Sequence, residues 1–354
     1  MSLFDDMLKD SESLFLNPEQ LDFDFQPKLV PYRESEQKYI ASCIKPLFQN
    51  RNGKNLLIFG KPGVGKTVCL KHVLNELEEY DEISTIYLNC WKKDTAHKMA
   101  LSICEQIDYK WTHNKTTDEL FKEITNILNK KTVVFVLDES DKLTEMNGVY
   151  YILEDIYKKT IFFITNNKDW LVNVDSRLKS RLTLEELEFK YYTLEQTRGI
   201  LKKRIEYAFV KNVWDDNSFN LIANKTFELK DVRLGLFLLR ETGNIAEDNS
   251  SKKIVLDHSE NAIKRLDNYK MKNSEDFEDD INKVLELIKV NSGKTMTEIY
   301  DIYKKDNDLS YRTFKRKVSK LINNNVITAE DTISDKGGKT FILNYGSIKK
   351  LDEF

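Results

Sequence analysis

Residues 55–67 read Asn-Leu-Leu-Ile-Phe-Gly-Lys-Pro-Gly-Val-Gly-Lys-Thr, and their types and spacing point to phosphate chemistry. Gly60, Lys61, Pro62, Gly63, Val64, Gly65, Lys66 and Thr67 spell G-x-x-x-x-G-K-T, and Val68 opens an apolar-periodic helix. Glycines let backbone N–H groups close around phosphate oxygens, and a helix N-terminus adds a positive dipole end. Lys66 is the cation for the β- and γ-phosphates, and the Thr67 hydroxyl is a ligand for Mg²⁺. Asp138 and Glu139 end a β-branched apolar run at 132–137. An acid there holds Mg²⁺ through water, and the next acid polarises the attacking water. Asn166 ends the following apolar run, where an amide can orient the same water.

Three further groups of cationic or aromatic residues are candidates. Arg177 and Arg181 lie in Asp-Ser-Arg-Leu-Lys-Ser-Arg at 175–181. An arginine stabilises charge on a transferring phosphoryl group, often from a neighbouring subunit, and a solvated basic face is the equal alternative. Arg233 opens a later helical stretch, as a γ-phosphate reporter or a plain ion-pair partner. Near the C-terminus, Arg312, Lys315, Arg316, Lys317 and Lys320 share one stretch, and no acid interrupts it from Ser310 to Asn325. Lys336 and Lys339 flank two glycines in a hairpin tip. Trp111, between Lys110 and Lys115, is either a second nucleic-acid contact or a packed ring.

The elements that hold these residues alternate. Strands are predicted at 56–59, 83–88, 132–137 and 161–165, with helices between them, which is the pattern of a parallel α/β sheet. In such a sheet ligands bind at the carboxyl ends of the strands. Residues 193–210, 216–224, 231–242 and 256–270 read as a helical lid, with a polar loop at 243–255. Residues 271–279 read as a linker. Helices at 279–290, 295–305 and 310–323 and strands near 326–329 and 340–343 form a winged helix, whose second motif helix enters a DNA major groove. Such modules also dock protein. The expected domains are an extended lead-in (1–30), the nucleotide-binding base (31–190), the lid (191–270) and the winged helix (277–354).

Composition narrows the class. In 354 residues, 32% are charged and 40% hydrophobic, as in a folded chain with a sizeable core. The net charge of −3 means that any nucleic-acid site must be a local patch. Cys43, Cys69, Cys90 and Cys104 form no C-x-x-C pair and read as reduced, buried thiols. There is neither a signal-peptide pattern nor an apolar run of 18 residues, so a cytoplasmic protein without a membrane partner is expected.

In this order the motifs resemble an AAA+ ATPase of the archaeal origin-recognition family, relatives of the eukaryotic origin recognition complex and of cell division control protein six. Pro31-Tyr32-Arg33-Glu34 is similar to the family's entry motif, Leu137-Asp138-Glu139 to its Walker B strand end, and Ile164-Thr165-Asn166 to its sensor 1. The resemblance makes Arg181 the arginine finger, Tyr192 and Arg204 lid-side nucleotide contacts, and Arg233 the sensor 2 arginine. It implies ATP or ADP with Mg²⁺, origin duplex DNA as partner, assembly through the finger, and help in loading the replicative helicase. ATP would act as a conformational switch with slow hydrolysis. The alternative is an accessory or signalling AAA+ ATPase of a mobile element whose winged helix docks protein.

Overall fold

The structure, a computed structural model, describes residues 13–304, 310–323, 327–333 and 339–345. The chain divides into two compact units between Ile263 and Lys264.

The first unit is built on a five-stranded parallel sheet. Its strands are β1 (Leu56–Phe59), β2 (Ile83–Asn89), β3 (Thr132–Asp138), β4 (Lys159–Thr165) and β5 (Glu185–Glu188), in the order β2-β3-β4-β1-β5. Strand side chains alternate faces, and both faces are apolar, as burial on both sides requires. Leu57, Val133, Phe135, Leu137, Ile161 and Phe163 pack on one face. Leu56, Ile58, Val134, Val136, Phe162 and Ile164 pack on the other. Helices α1 (Glu34–Ile44) and α2 (Lys66–Leu77) cover the second face. The first is covered by α3 (Ala96–Gln106), α4 (Thr117–Leu128), α5 (Asn147–Asp155) and α6 (Ser176–Leu182).

Both sheet edges have their own treatment. β5 has the sequence Glu-Glu-Leu-Glu, with no apolar run, so strand periodicity does not reveal it. At the other edge, the Gln106 side chain accepts from Tyr87 N (2.8 Å) and donates to Tyr87 O (3.0 Å), filling the place of a neighbouring strand.

The lid comprises α7 (Leu194–Ala208), α8 (Asp216–Leu229) and α9 (Val232–Asp248). Thr193 and Gln196 form a capping box at α7, and Asp215 and Asp231 cap α8 and α9. The loop expected at 243–255 is shortened to 249–255: α9 continues through Asp248 because Ile245 and Ala246 are buried on its inner face. The linker expected at 271–279 is also corrected, since α10 is one helix from Leu256 to Val290. That stretch contains neither glycine nor proline, so its charged residues do not interrupt a helix. All four cysteines are buried and unpaired.

The described part of the N-terminal segment crosses the lid. Phe15 bridges Phe209, Asp22 pairs with Arg240, and Gln26 donates to Val68 O at 2.9 Å.

In the second unit, strands β6 (Lys294–Thr295), β7 (Ile327–Ile333) and β8 (Lys339–Tyr345) form an antiparallel sheet in the order β6-β8-β7. Helices α11 (Met296–Tyr303) and α12 (Tyr311–Asn323) complete a winged-helix arrangement. Phe314, Val318 and Leu321 of α12 face a core with Ile288, Ile299, Tyr303 and Leu343. Among the described residues, no helix is long and apolar enough to cross a membrane.

Candidate functional site

A cleft of about 600 Å³ opens at the carboxyl ends of β1, β3 and β4, within the size range of small-molecule sites. Pro62, Gly63 and Lys66 form its floor, Arg204 and Arg233 reach it from the lid, and residues 22–31 line the remaining side.

The glycine-rich loop takes left-handed backbone at Gly63 (φ 76°) and Gly65 (φ 87°), conformations that a side chain disfavours. A Cβ at Gly63 would collide with the Asp231 carboxylate, and one at Gly65 would lie 2.6 Å from the Tyr192 hydroxyl. At these two glycines the loop backbone therefore lies directly against Asp231 and Tyr192. Lys66 begins α2 and is buried. Its ammonium donates to Gly60 O (2.7 Å), Lys61 O (3.0 Å) and Asn166 Oδ1 (2.7 Å). Burial pushes its pKa down to about 8. Val64 is buried in the core beneath the loop, and the Val68 carbonyl holds Gln26.

Thr67 Oγ1 donates to Asp138 Oδ2 at 2.9 Å, which joins α2 to the end of β3. The Tyr87 hydroxyl donates to the same oxygen, and Glu139 N donates to Asp138 Oδ1 at 2.9 Å. Glu139 sits in the left-handed region (φ 55°, ψ 44°), uncommon for a residue other than glycine and typical of functional sites. Burial raises its carboxyl pKa, and the neighbouring Asp138 and Asp141 add to the rise.

On the lid side, the Asp231 carboxylate, the α9 cap, holds Arg233 at 2.7 Å. That hydrogen bond raises the Arg233 pKa further. Arg204 donates to Gln20 O at 3.1 Å and lies 5.5 Å from the Phe25 ring centroid. Tyr192 lies against the Arg33 guanidinium, 4.1 Å from its ring centroid.

Arg181 is not in this cleft. Asn55 Nδ2 donates to Leu182 O at 2.7 Å, which puts the end of α6 at the start of β1, whereas the glycine-rich loop follows the end of β1. Arg181 is exposed there and pairs with Glu154. Arg177 is exposed at the start of α6.

In the second unit, Arg312, Lys315 and Arg316 are exposed on α12, away from its buried face. Lys317 is half-buried and reaches over the Tyr303 ring at 6.0 Å. Lys320 belongs to α12 and Lys339 to β8; Lys336 lies outside the described residues. Trp111 is 79% exposed, so the packed reading of that ring does not hold.

Three contributors are not among the residues the sequence assigns to the site. Tyr87 reaches Asp138 from two positions before the end of β2. Asp231 packs on Gly63 while holding Arg233. Arg33, buried, donates to Val64 O (3.0 Å), Lys190 O (2.6 Å) and Glu36 (2.7 Å), tying the phosphate loop to the chain that enters the lid. The entry motif marks Arg33 in the sequence, but only the fold reveals its partners.

The comparisons with known proteins agree with this architecture. Residues 49–166 match the family model of an AAA domain, and residues 198–264 match the Cdc6 AAA+ ATPase-type lid domain. An ORC1-type DNA replication protein 1 of Sulfurisphaera tokodaii is 30% identical, over 94% of this chain and 90% of that one. One from Archaeoglobus fulgidus is 29% identical, over 86% and 80%. The solved structure of the Aeropyrum pernix ORC1 protein in complex with DNA has a TM-score of 0.71 over 95% of each chain, at 24% identity, a likeness of fold. With a nucleotide-binding AAA base, a Cdc6-type lid and a relative of this identity along nearly its whole length, the chain belongs to the family of ORC1-type DNA replication proteins.

Proposed function

We propose that this chain is an ATP-controlled replication initiator that binds origin duplex DNA through its winged helix and helps to load the replicative helicase. The observation that carries the nucleotide part is the hydrogen-bonded convergence of Lys66 with Asn166 and of Thr67 with Asp138 at one strand-end cleft. Lys66 takes the β- and γ-phosphates, and Asn166 and Glu139 handle the attacking water. Tyr192, Arg204 and Arg233 meet the nucleotide from the lid side. Thr67 and Asp138 offer hard oxygen donors 2.9 Å apart, a set that suits Mg²⁺. When bound, Mg²⁺ neutralises charge on the β- and γ-phosphate oxygens. Arg181 serves the site of a neighbouring protomer.

The low pKa of Lys66 gives this reading a pH signature. Phosphates favour the ammonium form and raise that pKa, so binding takes up a proton once the free lysine has titrated. Above the terminal phosphate's own titration at about pH 6, ATP affinity is expected to be level up to pH about 8 and to fall as pH rises through it, by up to about tenfold per unit. Calorimetry in buffers of different ionisation enthalpy reads the proton uptake directly. A flat profile to about pH 9.5 would remove Lys66 as the titrating cation.

DNA binding follows from the exposed cations of α12 in a chain of net charge −3. Lys315→Ala is expected to weaken all duplexes alike and lower the salt slope by about 1, as loss of one phosphate contact does. Arg316→Ala is expected to cost about 1–3 kcal/mol and relax preference at one base position. Fluorescence anisotropy with the full chain across a salt series tests both. Unchanged affinity in the double variant would overturn the DNA assignment and transfer the winged helix to protein docking.

A further inference from the structure

We propose that Tyr87 is a positioning residue for the divalent cation that accompanies the nucleotide: its hydroxyl fixes the Asp138 carboxylate facing the Thr67 hydroxyl. This rests on the nucleotide reading above and deepens it. Asp138 is 5% exposed, and both its oxygens are occupied by donors. Glu139 N holds Oδ1, while Thr67 Oγ1 and the Tyr87 hydroxyl hold Oδ2. Thr67 is itself one of the oxygens offered to the metal. That leaves Tyr87, among the described residues, as the side chain that restrains Oδ2 without being a proposed ligand.

The phenol is itself restrained. Tyr87 pairs with Val136 in the β2–β3 ladder, and alternation puts Val136 and Asp138 on one face of the sheet. The Lys71 ammonium lies 5.0 Å from the Tyr87 ring centroid, one helical turn beyond Thr67. Gln106 holds the backbone of Tyr87 from the open edge. A phenylalanine would keep the ring packing and the ladder and lose only the hydroxyl, freeing the carboxylate to turn. Loss of an outer partner that orients a metal ligand typically weakens metal affinity by about 10–100-fold.

The test is binding of mant-ATP, followed by fluorescence, to the full chain and to Tyr87→Phe. Each is measured in EDTA and across a MgCl₂ series, with a thermal melt to verify folding. The two proteins are expected to bind equally in EDTA, and the MgCl₂ concentration giving half-maximal enhancement is expected to rise about tenfold or more in Tyr87→Phe. An unchanged half-point overturns the proposal. An equal loss of affinity in EDTA and in MgCl₂ also overturns it, because Tyr87 then serves packing alone. If the unsubstituted chain binds no mant-ATP under any condition, the nucleotide reading itself fails, an outcome distinct from both.

Discussion

Lys66→Ala loses ATP affinity by about 2–5 kcal/mol, while Glu139→Gln keeps its affinity and loses turnover. Truncating one member of a buried, hydrogen-bonded charge pair costs that much, mostly as faster dissociation. Lys66 is buried among three oxygen acceptors at the head of α2, so a phosphate there meets a cation that is already desolvated and aimed. Glu139 differs in kind. Its carboxyl is raised by burial and by two neighbouring acids, which suits a proton acceptor more than a partner for anionic phosphates. Removing a general base costs about 10²–10⁴ in rate and little in ground-state binding. Titration calorimetry paired with phosphate release separates the two effects. If Glu139→Gln binds ATP as poorly as Lys66→Ala, Glu139 is a binding residue and the division of labour is wrong.

Arg181→Ala leaves ATP binding by the monomer intact and abolishes hydrolysis that rises with protein concentration. The geometry excludes action within one chain, since the end of α6 is tied to Asn55 at the start of β1 and the phosphate loop lies past its other end. Four parallel-strand residues span about 13 Å, beyond the adjustment of one side chain. Arginine fingers contribute about 10³–10⁵ in rate, and a slow switch sits at or below the lower end. The proposed role would have Arg181 exchange its pairing with Glu154, an exposed pair that costs little to break, for a neighbour's phosphate. Mixing Arg181→Ala with Glu139→Gln is expected to restore part of the activity, because one mixed interface then holds both residues. No recovery on mixing, or weaker binding by the monomer, counts against the assignment.

Much of this architecture is legible in the sequence, for reasons that differ by element. The strand, loop and helix around Lys66 announce themselves because glycine spacing, an apolar run and helical periodicity fall in immediate succession. β3 is as plain, since a strand buried on both faces must be apolar throughout. β5 hides because three of its four residues are glutamates, and pairing with β1 makes it a strand in spite of them. α9 runs past its predicted end because two buried side chains outweigh a polar composition. Tyr87 and Asp231 are hidden more deeply. Each is an ordinary residue whose role comes from the strand register or lid packing that brings it to Asp138 or Gly63. The cover of residues 22–31 over the cleft is of the same kind: its aromatic and acidic residues predict a packed lead-in and say nothing of where it packs.

An open parallel sheet carries a hazard, because each outer strand offers unpaired amide and carbonyl groups on which another chain can extend the ladder, the first step toward aggregates. In this protein both outer strands are blunted by different means. β5 is only four residues long and carries three charged side chains; Glu185 is engaged by Tyr39 and Lys54, and Glu186 by Lys168. β2 is longer and more apolar, and there the Gln106 amide occupies the backbone donor and acceptor of Tyr87 midway along the edge. The role proposed for Arg181 in a neighbour's site calls for copies that meet often and part cleanly. Closing both edges to strand addition leaves side-chain surfaces, and not backbone pairing, to govern how those copies meet.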